Sequence, residues 1–293
     1  MKTTLLQLIS EGKTLISDGA WGTFLQAKGL KSGECPEEWN ITHPEAVLAI
    51  AQSYIDAGAD TIETNSFGGN KFKLKGFGLE NEVYTLNRKA AEISRQAAGD
   101  DKYVLGSIGP TGVILMMGEV SEEEIYEAFK EQAVALYEGG SDALVIETMT
   151  ALDEAVIAVK ASRENTPCEV ICTMTFDYLQ TGEYRTMMGV SPAEMVVALK
   201  EAGAHVVGAN CSNGIEGMIQ ITKEIRLADE CIPILIHANA GLPIFQNGET
   251  IFPETPEMMA VFAMQLANAG ANIIGGCCGT TPDHISKLVE VLG

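Results

Sequence analysis

The sequence predicts a (β/α)8 barrel, and three observations carry that expectation. Eight short β-branched or apolar runs recur along the 293 residues. Longer stretches with apolar residues at three- and four-residue spacing separate them, the pattern of helices packed by one face on a sheet. The turns back from helix to strand repeat as AGAD, AGAH and AGAN, starting at Ala57, Ala202 and Ala269. Barrels of this class reach the present length as one unit, so a single domain over residues 1–293 is expected.

The elements follow in order. TLIS (14–17) is the first strand, and the irregular stretch 22–43 comes after it. The helical pattern PEAVLAIAQSYIDAG (44–58) leads to DTIET (60–64), followed by a second irregular stretch, 66–81. YVLGSI (103–108) is the third strand, and EEIYEAFKEQAVALYEGG (123–140) is the helix beyond it. Ser121 and Glu124 form a capping box at its start. ALVIET (143–148), EVICTMTF (169–176), HVVGANC (205–211) and IPILIHAN (232–239) are the next four strands. PEMMAVFAMQLANAG (256–270) precedes the last, NIIGGCC (272–278), and Thr281-Pro282 opens the closing helix with Pro at its first position. Gly58, Gly140, Gly203 and Gly270 stand where helices end on a left-handed residue. A doubly wound open sheet is the alternative, but no Gly-x-Gly-x-x-Gly follows the first strand. In a barrel, both irregular stretches lie on the face that carries chemistry.

Composition narrows the function. Lys and Arg total 19 against 40 for Asp and Glu, a formal charge of −21. That surface repels phosphate backbones and anionic membranes, so nucleic-acid and membrane partners are not expected. No run approaches the ~18 apolar residues of a membrane span. The opening MKTTLLQLISEG lacks the features of a signal peptide, and cytoplasmic residence is the expectation. Seven dispersed cysteines point to metal ligands or reactive thiols and away from a disulfide framework.

The strand ends are Asp18, Asn65, Gly109, Glu147, Asp177, Cys211, Asn239 and Cys277-Cys278. No Lys is among them, which removes the nucleophile of a Schiff-base aldolase. No Lys or Arg lies between Arg226 and Lys287, so the usual phosphate seat beyond strands seven and eight has no fixed cation. A barrel lyase with incidental cysteines is disfavoured on both grounds. Cys211 ends strand six and Cys277-Cys278 ends strand eight, one strand apart, so the three sulfurs can converge. Zinc takes such thiolates tetrahedrally, and three protein ligands leave a fourth position for substrate. A zinc-stabilised binding subunit would instead show four. Cys168, Cys172 and Cys231 are expected to be core residues. An electron-rich thiolate site suits activation of a substrate thiol as a nucleophile.

GANCSNG (208–214) followed by GGCCGTTP (275–282) resembles the paired zinc signature of the homocysteine S-methyltransferase family. DGAWGT (18–23), ETNSFGGN (63–70), SIGPTG (107–112), IET (146–148), MTF (174–176) and NAG (239–241) extend the likeness along the chain. Together these motifs most resemble the homocysteine-binding domain of cobalamin-dependent methionine synthase. The resemblance implies a (β/α)8 fold with zinc on Cys211, Cys277 and Cys278. It implies an Asp18 and Glu147 grip on the homocysteine ammonium, and Asn239 near zinc when substrate is absent. Backbone N–H groups at Gly19 and Ala20 are placed to receive the carboxylate. His237 is expected to pack or to support the site, Trp21 and Phe24 to pack the rim, and Tyr178, Tyr184 and Arg185 to border the substrate. The implied donor is a methyl-corrinoid (cobalamin) held by a separate protein or domain, with S-methylmethionine, a betaine-like donor or another small thiol acceptor as alternatives. Full methionine synthases carry further modules, so the chain is expected to be either an excised module or a stand-alone acceptor enzyme.

Overall fold

The computed structural model describes residues 2–246 and 249–293. All eight expected strands are present: β1 (Leu15–Ile16), β2 (Thr61–Glu63), β3 (Tyr103–Ile108), β4 (Ala143–Met149), β5 (Glu169–Met174), β6 (Val206–Gly214), β7 (Ile234–Asn239) and β8 (Ile273–Gly276). They form one parallel sheet in the order β1-β8-β7-β6-β5-β4-β3-β2, with helices outside. The architecture is a (β/α)8 TIM barrel.

Its seam lies between β1 and β2, where backbone pairing is sparse. Asp60 donates its N–H to the Ile16 carbonyl at 2.7 Å, and its carboxylate accepts from the Ile16 N–H at 3.0 Å. Further up, the Asp18 carboxylate accepts from the Glu63 N–H at 2.9 Å. Two side-chain carboxylates thus replace the carbonyls that a regular ladder would supply, which satisfies buried N–H groups that would otherwise be costly.

Alternation along the strands sorts side chains between two apolar layers. Leu15, Leu105, Val145, Ile171, Leu235 and Ile273 point into the barrel and pack together with Leu5. Their neighbours Ile16, Val104, Leu144, Val170, Ile234 and Ile274 face the helices. The short helix Leu5–Ser10 closes the bottom, held by the Glu169 carboxylate, which accepts from the N–H groups of Leu5 and Leu6 at 2.9 and 3.2 Å. Above the apolar layer the inward positions turn polar: Glu63, Ser107, Glu147, Asn210 and His237, all buried. The barrel is therefore plugged below and chemically equipped above.

The local signals hold. Helices run Pro44–Asp56, Glu122–Glu138 and Pro256–Asn268, and Ser121 with Glu124 makes a reciprocal capping box. Pro282 opens the last helix after Thr281. Gly58, Gly140, Gly203 and Gly270 have φ of 100°, 108°, 101° and 112°, where a Cβ would be strained. Two expectations need correction. The irregular stretches contain short helices, Gly22–Ala27, Trp39–Thr42 and Lys71–Lys75, the last capped by the Asn70 side chain. Cys231 is exposed and not core: it lies in a turn where Asp229 accepts from the N–H groups of Cys231 and Ile232, both at 2.8 Å.

Candidate functional site

The sulfurs of Cys211, Cys277 and Cys278 converge at the C-terminal mouth of the barrel, within 4.8 Å of one another. The turn carrying Cys211 has an unusual backbone. Cys211 and Ser212 have φ of 63° and 57°, and Thr148 at the end of β4 has 58°. Left-handed conformations at non-glycine residues cost energy, so surrounding bonds must hold them. Ser212 donates to Asp177 at 3.0 Å, Asn213 donates to the Phe176 carbonyl at 2.6 Å, and the Glu254 carboxylate lies against Gly214, leaving no room for a Cβ there. Asn210 fixes the neighbouring strand end: its side-chain oxygen accepts from the Thr148 N–H at 2.8 Å, and its amide donates to the Thr148 hydroxyl at 2.7 Å. Strained backbone braced from three sides aims the sulfurs.

Thiol chemistry within the cluster is asymmetric. Hydrogen bonds from Cys277 and Cys278 favour the Cys211 thiolate and hold its pKa far below the ordinary thiol value. Their bonds to Cys211, together with burial, push Cys277 and Cys278 up. Asn239 lies against Cys211, where its amide also favours the thiolate, and its own Oδ1 is buried without a hydrogen-bond partner among the described residues.

Below the sulfurs is a cavity of about 260 Å³. Its wall includes Gly19, Ala20, Trp21, Glu63, Glu147 and His237 beside the three cysteines. Glu147 accepts from the Ser107 hydroxyl at 2.5 Å and from the Asn210 amide at 3.3 Å. Burial, reinforced by the Glu63 charge, raises its pKa well above the usual carboxylate range. Burial likewise lowers the His237 imidazole. No Lys or Arg lines the cavity among the described residues. An acidic chamber of this kind favours a ligand that brings its own positive charge.

Asp18 stands apart from that wall. It is 1 % exposed, and its carboxylate accepts from the Ser17 hydroxyl at 3.1 Å, the Trp21 indole at 2.8 Å and the Glu63 N–H. The Ala20 N–H donates to the Thr280 hydroxyl at 3.1 Å. His237 is on the cavity wall, beyond a packing role, and Trp21 joins it there while Phe24 packs edge-on against Tyr54 at 5.8 Å. Tyr178 and Tyr184 border a separate cleft, with ring centres 5.1 Å apart, and Arg185 pairs with Glu183. Sequence reasoning overlooked Glu63, Ser107, Asn210 and Glu254. A polar residue two positions after an inward apolar one on the same strand was the available signal for Ser107.

The comparisons with known proteins agree with this geometry. The family model described as homocysteine S-methyltransferase matches residues 15–292. Methionine synthase of Mycobacterium tuberculosis is 31% identical over 304 residues, covering 99% of this chain and 25% of that protein. Its Mycobacterium leprae counterpart is 30% identical over 308 residues, with the same coverage. The chain thus spans about a quarter of the length of these curated relatives. Among solved structures, the metallated homocysteine methyltransferase MmuM of Escherichia coli superposes with a TM-score of 0.80 at 23% identity, covering 97% of this chain and 99% of that one. At that identity the superposition speaks for the fold, and the extended sequence match speaks for descent: the chain belongs to the homocysteine S-methyltransferase family.

Proposed function

We propose that residues 1–293 are one homocysteine-binding barrel domain acting as a zinc-dependent methyltransferase that converts homocysteine to methionine. The observation that carries this reading is the convergence of three cysteine sulfurs over an acidic cavity. The donor set fits the metal. Tetrahedral zinc–thiolate bonds of about 2.3 Å place sulfurs about 3.8 Å apart, compatible with the observed cluster. The orphaned Asn239 Oδ1 would offer zinc a weak, displaceable ligand beside the three thiolates. When bound, zinc supplies Lewis acidity that lowers the acceptor thiol pKa and keeps the sulfur nucleophilic at neutral pH.

The chain's own residues bind and orient the acceptor. Glu147 holds its ammonium by a charge-assisted bond, and Gly19 and Ala20 form the wall along its carboxylate end. Asp18 acts at one remove, fixing Trp21 and the Glu63 backbone. The acceptor sulfur then attacks the methyl carbon in line. A sulfur–carbon bond forms, the donor–methyl bond breaks with its electron pair leaving on the donor, and the thiol proton passes to solvent. The free thiols suit a reducing compartment such as the cytoplasm. No helix among the described residues is long and apolar enough to cross a membrane.

The donor in this proposal is a methyl-corrinoid presented by another protein or domain. The rim supports a macromolecular donor, because Met116, Met117, Met187, Met188, Leu242 and Phe245 stand exposed on loops that follow strands β3, β5 and β7. Incubation with homocysteine and candidate donors, with methionine detected by mass, tests it. Free methylcobalamin should give slow turnover, and a cognate methyl-corrinoid protein much faster turnover. Rapid turnover with S-methylmethionine and none with any corrinoid would assign the chain to the sulfonium branch instead.

A further inference from the structure

Three carboxylates reach the cavity wall, and they are not equivalent. Glu37 accepts from the Gly68 N–H at 2.6 Å and the Cys35 thiol at 3.2 Å, one donor at each oxygen. Glu147 is engaged at both oxygens, by Ser107 and Asn210. Glu63 lies two strands away on β2, is 7 % exposed, and presents an Oε1 that no donor among the described residues satisfies. His237 Nδ1 stands 3.3 Å from that oxygen without the geometry of a hydrogen bond, and the far ring nitrogen, Nε2, is also unpartnered. A buried carboxylate oxygen without a donor is expensive, and native structures retain such atoms where a ligand completes them. Asp18 differs from Glu63 in already accepting from three donors, Ser17, Trp21 and the Glu63 backbone.

From this geometry we infer that Glu63 is a specificity-determining substrate residue, its under-satisfied carboxylate receiving an N–H of the acceptor's α-ammonium opposite Glu147. The seat between β2 and β4 explains several features together. Asp18 pins the Glu63 backbone at the barrel seam, where β2 has only three residues to hold it in register. Gly275 keeps the opposite side clear: a Cβ there would lie 2.9 Å from His237 Cδ2 and 2.7 Å from Ser17 Cβ. Burial and the Asp18 charge push the Glu63 carboxyl well above its ordinary pKa, so a cationic partner is what restores its charged form. The consequence is selection by charge: an α-amino thiol is preferred over the same thiol without its amine.

This assignment rests on the acceptor reading above, and the test separates the two. Binding of homocysteine and of 4-mercaptobutanoate, its counterpart lacking the amine, is measured by calorimetry on the zinc-loaded full chain. The proteins are the wild type, Glu63→Gln and Glu63→Leu, the last two differing in how they alter the fold. In both variants homocysteine affinity should fall about tenfold or more, as expected for a lost hydrogen bond to a charged group, while 4-mercaptobutanoate affinity stays within about twofold. The preference for the amine therefore collapses. Equal losses for the two thiols, or no loss for either, overturn the assignment of Glu63 alone. A wild-type chain that binds neither thiol overturns the acceptor reading and this assignment with it.

Discussion

Replacing any one of Cys211, Cys277 or Cys278 by Ala should lower bound zinc from about one per chain to nearly none and abolish methyl transfer. The three sulfurs form one cluster at the mouth, and no other group of three or more His, Cys, Asp or Glu among the described residues has metal-ligand spacing. Two remaining thiolates leave the ion with too few protein donors. The barrel itself should stay folded, because its two apolar layers lie below and outside the cluster and do not depend on the metal. Metal analysis beside circular dichroism checks both halves. A triple variant that retains stoichiometric zinc would remove these cysteines from the metal site.

The next largest effect is expected at the acidic chamber. Glu147→Gln should weaken homocysteine binding by about 1.5–3 kcal/mol, the range for hydrogen bonds to charged groups, while zinc content is unchanged. Asp18→Asn should also weaken it, by loosening Glu63 and Trp21 and not by losing a direct contact. Titration calorimetry with homocysteine, after metal analysis of each variant, reads both. Unchanged affinity in the two variants would take this wall out of the substrate site. The pattern matters as much as the size: a direct partner of the ammonium loses enthalpy specific to the amine, whereas a positioning residue affects every thiol that contacts Trp21.

How much of this was legible in the residues depends on the scale of the feature. Strand positions followed from β-branched runs, and helix ends from capping chemistry, because both are local. The cysteines were legible because barrel topology alone brings the ends of β6 and β8 together. Asp18 was visible as a strand-end carboxylate, but its commitment to the Glu63 N–H depends on the sparse seam between β1 and β2. Glu63 was obscured for a related reason: a three-residue strand gives too little alternation to fix which side chains face inward. The left-handed Thr148, Cys211 and Ser212 carry no signal in composition, since none is glycine and their conformations are imposed by Asn210, Asp177 and Phe176. Cys231 misled because cysteine is usually buried, and a turn organised by Asp229 placed it outside.

Zinc X-ray absorption on the loaded chain, before and after homocysteine, addresses the central claim most directly. Without substrate the spectrum should fit three sulfurs and one oxygen or nitrogen ligand, from Asn239 or water. With homocysteine it should fit four sulfurs, accompanied by release of a proton in parallel calorimetry. Four sulfurs from the protein alone, or a shell unchanged by homocysteine, would contradict activation of the acceptor thiol at this site.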